Sequence, residues 1–466
     1  MKKKYVRWTL WTIASPFILF IILCILIYLP PIQNFLVDKA AVYASEATGM
    51  NISVGRISLS FPLNLVVTNV DAASPHNDTL LSVRRLQVNV QLLPLLKKQV
   101  EVDGISLQGA TVNSNDLIHG MKLNGTLGEL FISSHGVALD PETAIVNKVL
   151  LKDTDLSLCL NDTAAADTAA SDTTYWKIIL QDIDLQNVSF ALDMPLDSLS
   201  LAASLDNAIL RDGLIDLHKS AYSLQTFRIE NGRVRYDNGK PLAADSLSSG
   251  LDPSHIALTD IGVKLDSLYY GGRNMKAIIS QFVLKERSGV EIVSATGRMV
   301  SNDKVLRVPS LKLETRDSYL ELNAAMDWNA LDFKGEGLMS ARLMADIGKP
   351  DVVRFMGRMD EKFVRQYPSE PLRIRTGIDG DLNKLKLTTL TAELPGALGL
   401  FARGELTHLT DSLLRGGDIT LEAETKDLKF VSTLAEGIEI PYGTRLEGKF
   451  TMAGTKMGTD LLLKIG

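Results

Sequence analysis

Cysteine is nearly missing from this chain of 466 residues, which has only Cys24 and Cys159. Cys24 sits in an apolar N-terminal segment, so the pair offers no basis for an intrachain disulfide and does not report a redox compartment. Aromatic residues are also scarce, at 6%, against 45% apolar residues in all, so burial falls to Val, Ile and Leu. The six histidines, His76, His119, His135, His218, His255 and His408, are scattered without metal-ligand spacing. No H-E-x-x-H, G-x-S-x-G or P-loop occurs; Gly335-Glu336-Gly337 starts like a phosphate loop and fails at Ser340. These absences lead us to expect a non-enzymatic protein with no cofactor and no metal. An excess of basic charge is missing as well. The net charge is −6, and Lys2, Lys3, Lys4 and Arg7 all precede the first acidic residue, Asp38, leaving an acidic body with no electrostatic reason to bind nucleic acid.

What the chain does have is one long apolar run and a great deal of strand periodicity. Trp8 to Leu29 is uncharged and almost wholly apolar, enough for a helix of about 20 residues to cross a bilayer. The basic residues ahead of it predict a cytoplasmic N-terminus, and Trp8, Trp11 and Tyr28 near its ends suit the membrane interfaces, with Phe17 and Phe20 between them. Pro30-Pro31 follows with no small-x-small site close by, which favours an uncleaved anchor over a signal peptide. Ile32 to Thr48 reads as a short amphipathic helix stopped at Gly49.

Beyond Gly49 the period is two. In Trp176–Leu192 the large apolar residues are Ile178 and Leu180, Ile183 and Leu185, then Val188 and Phe190: pairs two apart, separated by steps of three. Steps of two keep residues on one sheet face; each step of three is a one-residue slip that a bulge or bend can absorb. The spacing recurs at Val100, Val102, Ile105, Leu107, Ala110 and Val112, and at Tyr222, Leu224, Phe227, Ile229, Gly232, Val234 and Tyr236. Its first four positions return at Ile256, Leu258, Ile261 and Val263. Two segments break the strand pattern. Residues 161–174, with Asp-Thr every five residues, lack large apolar side chains and are expected to be a disordered loop. Asp351 to Arg365 has the spacing of a helix. The final Leu461-Leu462-Leu463-Lys464-Ile465 reads as a strand cut short, so the chain is expected to continue past 466. Asp-Ser/Thr-apolar triplets are frequent, and those at Thr163 and Thr168 resemble a periplasmic O-glycosylation sequon; a turn followed by a strand explains such triplets equally well.

One ordered set of features supports a family resemblance. Ala44-Ser45-Glu46-Ala47-Thr48-Gly49 leads to Ile52-Ser53-Val54 and Ile57-Ser58-Leu59. Leu92-Leu93-Pro94-Leu95-Leu96-Lys97 then precedes Val100-Glu101-Val102-Asp103-Gly104-Ile105-Ser106-Leu107. With the anchor, residues 1–113 resemble the AsmA/TamB family of Gram-negative envelope proteins, and Leu372 to Leu387 is similar to its looser body pattern. The resemblance implies a mostly β fold: a transmembrane helix and short helix, then a long curled antiparallel sheet forming an elongated, taco-like apolar groove. Expected organisation is an anchor over 1–30, an entry region over 31–160, the loop 161–174, and groove repeats over 175–466 with a helix at 351–365. Some 25 strands at ~4.8 Å would give a track of roughly 120 Å. The lining would comprise Val100, Val102, Ile105, Leu107, Ile178, Leu180, Ile183, Leu185, Val188, Phe190, Leu224, Phe227 and Ile229. The implied partners are phospholipid in the groove, the inner membrane, and in an assembly-factor role an outer-membrane β-barrel. The bulk of the chain would lie in the periplasm, either as a lipid-transfer conduit or as a module assisting β-protein biogenesis.

Overall fold

A computed structural model describes residues 48–60, 64–74, 78–91, 102–114, 120–138, 142–161, 175–239, 250–331, 337–357, 359–434 and 440–465, with isolated positions from 39 to 46. The anchor residues Trp8, Trp11, Phe17, Phe20 and Tyr28, the lining residue Val100, and Thr163 and Thr168 lie outside the described residues. Among the described residues no helix is long and apolar enough to cross a membrane. The protein is mostly β, a large and predominantly antiparallel sheet of 22 described strands with few helices. It divides into two compact units, 1–207 and 208–466.

In the first unit, β1 (Asn51–Ser60), β2 (Asn64–Ala73), β3 (Thr79–Val90), β4 (Val102–Asn113), β5 (Met121–Ala138) and β6 (Thr143–Leu160) pair successively antiparallel. β7 (Lys177–Met194) then pairs with β6 in parallel, which corrects the expectation of a uniformly antiparallel sheet. The chain from Leu160 must therefore return along the whole of β6 before β7 starts.

The ladders of this unit share one irregularity. Val54 faces Val70 and Arg56 faces Thr68, skipping Gly55 and Asn69. The same skip passes in step through Arg84, Gly109, Gly128, Asp153 and Asn187. Seven neighbouring strands thus carry an extra residue in one line. Asn69, Gly109, Asp153 and Asn187 adopt left-handed φ of 53°, 63°, 49° and 51°, a conformation that glycine, asparagine and aspartate tolerate best. Gly128, opposite Asp153, has no room for a side chain, since a Cβ there would lie 2.8 Å from that of Asp153. Asn187 Nδ2 donates to Asp153 Oδ1 at 2.9 Å, tying two members of the line together. The slip inferred between Leu185 and Val188 is this left-handed residue. The earlier slip, between Leu180 and Ile183, matches a skipped pair Asn147/Gln181, whose side chains are joined by a 2.9 Å hydrogen bond.

The second unit opens within β8 (Leu199–Asp216) and continues through β9 (Ala221–Leu224), β10 (Thr226–Asp237), β11 (His255–Gly271), β12 (Asn274–Glu286), β13 (Glu291–Ser301), β14 (Val305–Thr315), β15 (Tyr319–Asp327) and β16 (Met339–Ile347). Two helices, α1 (Lys349–Met356) and α2 (Glu361–Gln366), precede β17 (Leu372–Gly380), β18 (Lys384–Leu394), β19 (Leu398–Thr407), β20 (Gly416–Thr425), β21 (Arg445–Ala453) and β22 (Lys456–Lys464). Left-handed Asn231 and Asp260 again accompany register shifts in β10 and β11. The single helix expected over 351–365 is two. Gly357 ends α1 with φ 73°, and Asp360 caps α2 by accepting from Lys362 N–H at 2.8 Å. Apolar spacing continued across this break, so periodicity alone could not reveal it.

Replacing Asn187 with valine should cost about 1–2 kcal/mol, the penalty for a left-handed residue bearing a full side chain. Asn187→Gly should cost less, because only the hydrogen bond to Asp153 is lost. Urea denaturation of the purified full chain would rank them, and equal losses would mean the left-handed geometry is not the constraint.

Candidate functional site

The aligned slips keep the same residues on one face of every strand. In the first unit Ile57, Val67, Leu86, Leu107, Leu130, Leu151 and Leu185 stand side by side across seven strands. A second row runs Leu59, Leu65, Val88, Ile105, Ile132, Val149 and Ile183. Beyond the line of slips come Val54, Val70, Val83, Ala110, Leu127, Thr154 and Val188, then Ile52, Ala72, Leu81, Val112, Gly125, Leu156 and Phe190. Ile178 and Leu180 extend the face beside Ala144 and Val146, and Val102 pairs with Val90. No charged side chain stands in these rows.

The second unit repeats the arrangement. Leu313, Leu320, Ala345, Ile374, Ala392, Leu400, Ala423, Leu446 and Leu463 form one row over nine strands. Phe227 and Ile229 face Leu265 and Val263, and Leu224 faces Leu268. The charges lie on the other face, in cross-strand pairs such as Arg342–Asp379 at 3.0 Å, Arg375–Asp346 at 2.7 Å, Lys384–Glu405 at 3.0 Å and Lys464–Glu447 at 3.1 Å. These pairs are exposed and stabilise little individually, but they set the solvent side.

Most of the apolar face has no covering layer among the described residues. Most of its leucines and isoleucines are half-buried, Phe190 is 38% exposed and Leu463 56%, whereas Ala72, Val83, Ala110 and Thr154 near the line of slips are buried. A filled core lies at one rim of the second unit, where Phe363 and Tyr367 from α2 and its end pack with Leu394, Ala397, Leu428 and Phe430. Phe363 and Phe430 meet edge to face, with centroids 5.8 Å apart. Burial pushes the Tyr367 phenol above its ordinary pKa. Leu372, Leu394 and Leu398 belong to strand positions on the apolar face, so α1 and α2 form a fixed lip over that rim. A polar latch holds the lip. The fully buried Asp351 accepts from Ser318 Oγ at 2.6 Å and from Thr315 Oγ1, and pairs with Arg354 at 3.1 Å.

The histidines are scattered in the sequence, yet His255 is buried at the same rim. Its Nδ1 donates to Asp252 Oδ2 at 2.8 Å, and Nε2 lies 3.6 Å from Asp237 Oδ1. The hydrogen bond from His255, helped by the Ser254 N–H, holds the Asp252 carboxyl below its ordinary pKa. Asp252 is a local neighbour three residues earlier, whereas only the register between β10 and β11 brings Asp237 to His255. Among the described residues no group of histidine, cysteine and carboxylate side chains could hold a metal ion.

Two outcomes follow. A carboxylate whose folded pKa is lowered stabilises the fold above its unfolded pKa, and that stability is lost as pH falls through the folded value. Acidification from about pH 6 to about pH 3 should therefore lower the melting temperature of the parent chain more than that of Asp252→Asn. For packing, Phe363→Ala should cost about 3–5 kcal/mol, the range for a filled core, whereas the half-exposed Leu107→Ala should fall below the usual core range of about 2–5 kcal/mol. Equal losses in urea would mean the apolar face is as covered as the rim core. No protein-family model and no curated protein matches the chain.

Proposed function

We propose that this protein is an inner-membrane-anchored periplasmic lipid-transfer conduit, supporting phospholipid movement to the outer membrane and the integrity of that membrane. The observation that carries this reading is the set of uncharged aliphatic rows running across strands and left half-exposed. Acyl chains laid on such a face leave water at about 25 cal/mol per Å² of apolar area, while the ion-paired opposite face stays solvated. Curling by the aligned slips turns the face inward as the lining of a groove. Transfer of this kind requires no bond chemistry, only a dry track with a wet exterior. The apolar segment Trp8–Leu29 supplies the attachment at the membrane and leaves the N-terminus in the cytoplasm.

Photo-crosslinking amino acids at Ile178, Leu185 and Phe227 in living cells should give phospholipid adducts, whereas Lys177 and Gln186 should not. Crosslinks only to neighbouring strands of the same chain would defeat the conduit. Crosslinks to a second polypeptide would favour the other reading, an assembly factor for outer-membrane or secreted β-proteins working with a β-barrel.

A further inference from the structure

At the rim of the second unit opposite the helical lip, the apolar face ends in aromatic rather than aliphatic residues. Tyr222 on β9 faces Tyr270 on β11, and their rings stack with centroids 6.2 Å apart and planes at 28°. Both continue apolar positions: Leu224 and Leu268 pair immediately inside them, and Met275 flanks Tyr270 on β12. Tyr222 is 41% and Tyr270 47% exposed, and a tyrosine side chain combines an apolar ring with a polar tip. Neither hydroxyl has a hydrogen-bond partner among the described residues.

Three residues beyond Tyr270, at the tip of the same hairpin, the Arg273 guanidinium lies 5.6 Å from the centre of the Trp328 ring. Trp328 is itself fixed, donating from Nε1 to Asn302 O at 2.8 Å and from its backbone N–H to Lys304 O at 2.8 Å. Of the carboxylates around this tip, Asp303 accepts from Asn274 Nδ2 at 2.9 Å and Asp327 from the Leu338 N–H at 3.0 Å. Arg273 pairs with no carboxylate among the described residues. A held cation and two free phenol donors therefore stand at the wet end of a greasy face.

We infer that Tyr222, Tyr270 and Arg273 form a headgroup site for the phosphate of a phospholipid whose acyl chains lie on the apolar rows. Arginine suits a phosphate through paired N–H donors, and the stacked phenols reach the glycerol-ester level between chain and headgroup. This rests on the conduit reading and adds the place where a headgroup is recognised.

The test uses the full chain in native membranes with a photo-crosslinking amino acid at Leu268, and a parallel chain with it at Ile178. Phospholipid adducts are expected at both positions. Arg273→Gln, and separately the double variant Tyr222→Phe with Tyr270→Phe, should reduce the Leu268 adduct about tenfold, the factor for loss of ~1.4 kcal/mol. Adducts at Ile178 should persist in both variants, and Arg273→Lys should recover part of the loss at Leu268. Loss of adducts at both positions already in the parent chain would defeat the conduit itself. Adducts at Ile178 with a Leu268 signal absent, or indifferent to Arg273 and the tyrosines, would overturn the headgroup site alone. Purified full chain in detergent is then titrated with inorganic phosphate while Trp328 fluorescence is followed. Saturation as tight as with a short-chain phosphatidylglycerol would reassign the site to free anions; much weaker binding supports the lipid.

Discussion

The constraint on which everything else depends is that neighbouring strands slip together. A single extra residue in one strand would turn every later side chain to the opposite face. Here the extra residues at Gly55, Asn69, Arg84, Gly109, Gly128, Asp153 and Asn187 stand in one line. The rows on both sides of the line therefore stay apolar. Left-handed φ at asparagine, aspartate or glycine on β2, β4, β6 and β7, with no side chain opposite at Gly55 and Gly128, is how the chain meets the steric demand. Remove the alignment and the uniform face is lost.

Burial is distributed in a way that fits this division of labour. The filled core of the second unit is a small rim cluster around Phe363, Tyr367 and Phe430, latched by Asp351. The long aliphatic rows contribute far less per residue because much of their area remains open. A sheet of this kind draws its stability from ladder hydrogen bonds, cross-strand pairs and rim packing, leaving the apolar face available for something else to cover. That availability is the physical basis for reading the protein as a carrier of apolar cargo, with aromatic and cationic groups at one margin to meet a headgroup.

Part of this was legible in residue spacing. The alternation of Ile178, Leu180, Ile183, Leu185, Val188 and Phe190 already required one face with two slips, because period two is a local property of extended backbone. The polar residues beside the slips were legible for the same reason: left-handed backbone selects a small set of side chains. The helix at 351–365 was located but not divided, since Gly357 interrupts the backbone without interrupting the apolar spacing. The parallel pairing of β6 and β7 left no local trace. Either direction of β7 would present the same apolar set, and only the pairing partner decides between them.

By itself, then, the sequence determined the strand character, the slips, the aliphatic face and the polar face opposite it, all of which follow from local sterics and hydrophobic patterning. Tertiary structure alone decided that the slips align across strands, that β7 runs parallel to β6, and that helices cap one rim. It also decided which isolated residues become neighbours: His255 with Asp237, Asp351 with Ser318, Tyr222 with Tyr270, and Arg273 with Trp328. Each of those contacts joins different strands, helices or turns through the register between them. Register is a property of the pairing and not of any single segment.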